Sequence, residues 1–222
     1  MNPSLARCLV AEFVGTAGLL ALIVGSGIMA DNLSGGNDGV ALIGCTAAIG
    51  AGLTVLIWVF GPVSGCHINP AVTLAFTLRG EIAPQRAAAY VAVQAFAGVV
   101  GVLATHVMFD LPILQASTTV RTGVGQWFSE IVATFGLVTV ILGCLRVRPR
   151  AVAAAVGLFI FAACWFTAST SFANPAVTLA RSFTDTFCGI RPVDAPAFIL
   201  MEFLAAAAAV PFAAWLFRKD TT

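Results

Sequence analysis

Two asparagines, each followed by proline, are the residues best placed to do chemistry in this sequence. They open the segment NPAVTLA, which stands at residues 69–75 and again, unchanged, at 174–180. An asparagine before a proline starts a helix, because its side-chain oxygen accepts a backbone N–H one turn on and proline at the first helical position loses no hydrogen bond. With those oxygens occupied, the two NH₂ groups are left to donate. Two such tips meeting head-on, each the positive end of a helix dipole of about half a charge, would oppose cations. They would also turn water oxygen-first, which interrupts a chain of proton hops. The chemistry on offer is the passage of neutral, hydrogen-bonding solutes. One Asn-Pro alone is an ordinary helix cap; a seven-residue recurrence points to duplication.

The elements that hold these asparagines must lie in a membrane. Of 222 residues, 59% are hydrophobic and only 9% charged, against about 25% charged in a soluble domain, and the mean hydropathy is +0.98. The lipid bilayer is therefore the expected surrounding. A net charge of +1 without a basic patch excludes a nucleic-acid partner. The six cysteines have neither CxxC spacing nor accompanying histidines, so they read as small core residues, with no metal site and no cofactor. No nucleophile–base pair or nucleotide loop suggests an enzyme. The first apolar run is too long for a signal-peptide core and is followed by no A-x-A site, so it is expected to be a transmembrane helix.

Crossing a bilayer takes about 20 residues at 1.5 Å each. Six stretches qualify, at 5–28, 39–60, 85–108, 126–145, 151–167 and 196–217, joined by polar or Gly/Pro-bearing loops such as DNLSGGNDG and TDTFCGIRPVDAP. With both termini cytoplasmic, Arg7, Arg79, Arg86, Arg146, Arg148, Arg150, Arg218 and Lys219 fall inside, and only Arg121, Arg181 and Arg191 outside, as the positive-inside bias requires. The boxes follow the second and fifth spans too soon to begin another crossing. Residues 69–78 and 174–183 make about 15 Å of helix each, half a membrane, and are expected to be half-helices that re-enter and stop. The stretch AEFVGT around Glu12 is answered by SEIVATFG around Glu130. Three spans per repeat invert the second copy, so one domain, 1–222, is built from inverted repeats of about 1–110 and 120–222, an architecture used in transport.

These features resemble the aquaporin family, whose paired boxes stand here as Asn69-Pro70-Ala71 and Asn174-Pro175-Ala176. SGCHINPAVT, the two glutamates and AVGLF in the fifth span extend the resemblance over nearly the whole chain. It implies an all-α, right-handed bundle of six transmembrane helices plus two re-entrant half-helices. It also implies a homotetramer in a bacterial inner membrane, with one pore per subunit for small neutral solutes and water. Glu12 and Glu130 would then hold the backbone of the re-entrant loops, and His67 would hydrogen-bond loop backbone beside the pore. His106 lies in no motif and is expected at the interface.

One departure bears on selectivity. Family members follow the second box with arginine; Val177 stands there, offering neither charge nor donors. Arg181, four residues on and about 6 Å farther out, is expected to line the outer vestibule or to pair with Asp185. The bulky filter position of the second span falls on Ala51 counted from GLTV, or on Ile49 counted from Asn69. In the fifth span it falls on Cys164 or Ala162. Ser171 and Phe172 complete the expected wall, a wide and uncharged filter. In this the chain looks most like the aquaglyceroporin-type channels of bacterial arsenic-resistance operons, which implies arsenous acid and its methylated relatives beside glycerol-like polyols. An accessible thiol at Cys164 or Cys66 would bind trivalent arsenic and retard its passage. The other readings are a water-dominated aquaporin, a coupled secondary transporter built on Glu12, Glu130 and Glu202, and a structural membrane protein that retains the fold.

Overall fold

The computed structural model describes residues 3–218; Lys219, counted above with the cytoplasmic positive charges, lies outside the described residues. The helices are α1 (Leu5–Leu33), α2 (Asp38–Ser64), α3 (Pro70–Leu78), α4 (Pro84–Met108), α5 (Val124–Val147), α6 (Val152–Phe166), α7 (Pro175–Ala180) and α8 (Ala195–Leu216). A 3-10 turn, Pro149–Ala151, leads into α6, and another, Arg181–Phe183, continues α7. Among the described residues six helices, α6 taken with its 3-10 turn from Pro149, are long and apolar enough to cross a membrane. The two short ones are the expected half-helices.

The first two crossings run longer than expected, α1 because polar residues prolong a helix that emerges into water and α2 because it continues through residues 61–64. Asp31 and Asn32 continue α1 to Leu33, and the chain then turns through Gly35 and Gly36, both at positive φ. The Asn37 side chain caps α2 by accepting from the N–H of Gly39 at 3.0 Å and of Val40 at 3.2 Å. At its far end α2 continues through Pro62 and closes on Gly65, whose φ of 89° suits glycine.

In the first half α1 packs on α2 and α4; in the second α5 packs on α6 and α8, and the α2–α6 contact joins the halves. Each half-helix also reaches into the other repeat, α3 against α8 and α7 against α4. The α2–α6 crossing is at two glycines: a Cβ on Gly157 would stand 2.3 Å from the carbonyl oxygen of Gly50. Outward faces carry large apolar side chains such as Trp58, Phe96, Phe128, Leu158 and Trp215, as lipid contact requires. Following the chain, Arg7, Arg79, Arg86, Arg146, Arg148, Arg150 and Arg218 gather at the end where α1 begins, and Arg121, Arg181 and Arg191 at the opposite end.

The Gly50–Gly157 crossing has a measurable consequence. Gly157→Ala must push α2 from α6 and is expected to cost about 1–3 kcal/mol, read as a lower melting temperature of the detergent-solubilised protein. Gly61→Ala, where a Cβ meets nothing within 4 Å, is expected not to lower it.

Candidate functional site: a solute path between two helix tips

The backbone that enters each half-helix is irregular at mid-membrane depth, where water cannot satisfy it. Cys66 and Ile68 have φ of 47° and 40°, and their counterparts Ser171 and Ala173 have 51° and 48°. Such left-handed conformations are costly for residues with a Cβ, most of all for a β-branched isoleucine. A buried carboxylate holds each. Glu12 accepts from the N–H of His67 at 2.9 Å and of Ile68 at 2.6 Å; Glu130 accepts from Phe172 at 3.0 Å and Ala173 at 2.8 Å. In both loops these are the two residues before the asparagine.

Asn69 and Asn174 start α3 and α7 from nearly identical backbone angles, φ −158° and −160°. Asn69 Oδ1 accepts from Ala71 and Val72, and Asn174 Oδ1 from Ala176 and Val177. The amides are less free than expected, because each spends one N–H on the opposite loop. Asn69 Nδ2 donates to the Ala173 carbonyl at 2.7 Å, and Asn174 Nδ2 to the Ile68 carbonyl at 2.9 Å. One N–H of each remains, since an amide has two.

Both asparagines face a cavity of about 220 Å³ between the halves. Its apolar side is built from i, i+4 stripes: Ile49, Leu53 and Ile57 on α2, Val152, Val156, Ile160 and Cys164 on α6, and Leu137, Ile141 and Leu145 on α5. Such spacing keeps side chains on one helix face. The polar side comes from the loops, with His67, Ser171, Arg121 and Arg181. Ser171 Oγ has no protein partner. The His67 ring does not bond loop backbone as expected; it is held by Thr73, Nδ1 to Oγ1 at 3.1 Å, and stacks on Phe76.

Several expectations are corrected. Ala51 and Ala162 are exposed on the outside of the bundle; each lies two residues, about 200° of helix rotation, from Ile49 and Cys164, which do line the cavity. Val177 lines it too, yet the wall is not uncharged. Arg181 is buried and lies over the Phe172 ring, its Cζ 3.4 Å from the centroid, with Nε bonded to the Cys188 carbonyl. It does not pair with Asp185, which accepts instead from Thr118. Arg121 lies 5.2 Å from the same ring and donates from Nε to the Gly189 carbonyl. Burial and, after it, the Arg181 charge bring the Arg121 guanidinium down to about 10, so it stays charged at neutral pH. Phe172 packs edge-to-face on Phe198.

Arg121 had no motif around it; the one available signal was that cations are scarce at that end of the bundle. Cys45 and Cys188 also line the cavity, rather than serving only as core filler. His106 is fully buried, not interfacial, and ties Ile113 O at 2.8 Å to Thr184 Oγ1 at 2.9 Å.

The repeats differ at one informative pair. Gln94 donates to Glu12 Oε2 at 2.8 Å and to Thr73 Oγ1 at 3.2 Å. The corresponding place in the second half holds Glu202, which accepts from Thr178 Oγ1 at 2.6 Å and lies beside Glu130. Glu202→Gln is therefore expected to leave yield and helicity unchanged. Glu130→Ala strands two buried N–H groups, at about 1–3 kcal/mol each, and is expected to give little monodisperse protein on size exclusion. Asp194 anchors the wall from outside the spans: it accepts from the Arg121 backbone N–H at 2.9 Å and pairs with Arg191. The Arg191 hydrogen bond holds its carboxyl below the usual range. Its contribution is thus present above about pH 3.9 and lost as the pH falls through the lowered value. Melting temperature should drop in that acid range, and less steeply in Asp194→Asn.

Comparison with known proteins agrees with this geometry. The family model described as "Major intrinsic protein" matches residues 1–150. The chain is 54% identical over 212 residues to Aquaglyceroporin AqpS of Rhizobium meliloti (strain 1021), covering 96% of this chain and 90% of that one. It is 33% identical over 161 residues to Aquaporin NIP6-1 of Arabidopsis thaliana, covering 72% of this chain and 51% of that protein. The X-ray structure of the aquaglyceroporin from Plasmodium falciparum superposes with a TM-score of 0.74 at 21% identity, over 97% of this chain and 96% of that one, which is a likeness of fold. On the family model, the sequence relatives and the paired helix tips, this chain belongs to the major intrinsic protein family of membrane channels, the aquaporins.

Proposed function

We propose that the protein is a passive channel of the aquaglyceroporin type, passing glycerol-like polyols and neutral trivalent arsenicals such as arsenous acid, with some water. The observation that carries this reading is the two-sided cavity. Aliphatic stripes from three helices face loop donors, the asparagine amides and two guanidiniums, and Val177 stands where the family resemblance leads one to expect arginine. A polyol, or a metalloid bearing hydroxyls on one side, can turn its oxygens to the donors and its carbon or metalloid face to the aliphatic wall. The fixed positive charges and helix dipoles oppose cations. The similarity to a protein called an aquaglyceroporin supports the same solute class. Both termini are placed in the cytoplasm by the positive-inside bias, in the bacterial inner membrane, and four subunits assemble with one pore each.

The secondary-transporter reading loses two of its three carboxylates, Glu202 alone keeping an oxygen, Oε2, without a partner. Glu12 takes four donors, Ser64 Oγ and His67 N on Oε1 and Ile68 N and Gln94 Nε2 on Oε2, which fills the acceptor capacity of a carboxylate. Glu130 is occupied by its loop.

Stopped-flow light scattering on proteoliposomes tests the proposal. Wild type should pass glycerol at rates linear in concentration and indifferent to pH or sodium gradients, and the initial rate of arsenous acid entry should ignore those gradients too. Val177→Arg should suppress both solutes more than water, whereas Val177→Leu, which adds bulk without charge, should do so less. Equal loss of all permeants in Val177→Arg would overturn the filter assignment. Vesicles no more permeable than empty ones would overturn the channel reading itself.

A further inference from the structure

The cavity holds a thiol pair that the permeation path does not require. Cys45 on α2 and Cys188, in the segment after α7, bring their sulfurs to 4.0 Å, the only sulfur–sulfur contact among the described residues. Both line the cavity. Each is also oriented: Cys188 donates to the Ile23 carbonyl at 3.3 Å, and Cys45 sulfur accepts from Ser26 Oγ at 3.5 Å. Room for the pair is left by Gly27, where a Cβ would stand 2.4 Å from Cys188 Sγ and 3.8 Å from Cys45 Sγ. Trivalent arsenic is pyramidal, and bonds of about 2.3 Å to two sulfurs at about 95–100° separate them by about 3.4–3.5 Å. The observed spacing is about 0.5 Å wider, a difference that a small rotation of either thiol closes.

We infer that Cys45 and Cys188 form a dithiol site for trivalent arsenicals bearing two exchangeable hydroxyls, and that occupation of the site closes the pore. This rests on the reading of the cavity as an open solute path, though not on arsenicals being its main permeant. The step is a condensation without change of oxidation state. Two arsenic–oxygen bonds break and two arsenic–sulfur bonds form, and the two thiol protons leave with the two hydroxyls as water. One thiol holds such a compound weakly, because a single bond reopens readily; two preorganised thiols make the second bond intramolecular, at a high effective concentration. Bound arsenic would then occupy the space between α2 and the segment that carries the Arg181 contact with the Cys188 carbonyl. The channel would slow its own uptake of a thiophilic solute while remaining open to glycerol in that solute's absence.

The test uses methylarsonous acid on the reduced full-length protein, with two readouts. In proteoliposomes, glycerol permeability of wild type should fall to the level of empty vesicles and return with a dithiol such as 2,3-dimercaptopropanol, but not with an equal thiol concentration of 2-mercaptoethanol. In detergent, intact mass should rise by one methylarsonous acid less two waters. Cys45→Ser and Cys188→Ser should lose both effects, and Cys164→Ser should keep them. Gly27→Ala should weaken both by displacing the Cys188 thiol. A mass gain less only one water, or inhibition that survives Cys45→Ser, would overturn the site. If wild-type vesicles are impermeable to glycerol from the start, the channel reading fails, and the mass readout still decides the dithiol.

Discussion

The constraint on which the rest depends is that backbone N–H groups cannot go unpaired inside a membrane. A chain that must turn around at mid-depth has no helix ladder or water to satisfy it. Here two buried carboxylates do so, Glu12 for His67 and Ile68, Glu130 for Phe172 and Ala173. Without them the left-handed residues before each asparagine would have no compensation, and the half-helices could not be aimed at each other. The cavity, its donors and its charge all follow from that one device used twice. It also explains why intramembrane carboxylates, which elsewhere mark ion or proton paths, are here part of the scaffold.

Much of this was legible in the sequence because it lies in local pattern. The repeated box, the six apolar runs and the paired glutamates name the fold, the half-helices and the loop supports. Legibility failed where the answer depends on helix rotation or on long-range closure. Ala51 against Ile49, and Ala162 against Cys164, differ by about 200° of rotation, which counting from either flank of a loop of uncertain length does not resolve. Arg121 reaches the cavity through a loop that folds back over Gly189 and Ser169, and no local spacing encodes that return. The filter read from residue types at the expected positions was uncharged; the folded one borrows its charge from two segments, one of them outside either box.

Val177 therefore has a different meaning in the structure. It does not leave the pore without guanidinium groups, since Arg181 lies over Phe172 with Arg121 nearby. It leaves the charge displaced, farther along α7 and against an aromatic ring. A planar guanidinium stacked on a ring keeps its in-plane donors while its face is covered, so the pore retains directed hydrogen bonding with less bulk beside the asparagines. On the proposed reading, that arrangement would suit solutes wider than water but still rich in hydroxyls.

The crossed asparagine bonds also bear on the order in which the molecule can be completed. The Ile68 carbonyl finds its donor only in Asn174, 106 residues later, and at a synthesis rate of about 5–20 residues per second the wait is roughly 5–20 s. During that interval the first re-entrant loop sits beside an unfinished bundle with a buried acceptor open. The first repeat is thus a provisional structure, held by the packing of α1 on α2 and α4 and by Glu12 with its donors, and it becomes permanent when the second arrives to close the latch. A duplicated channel built this way cannot be half made and half open: the pore exists only once the chain is whole.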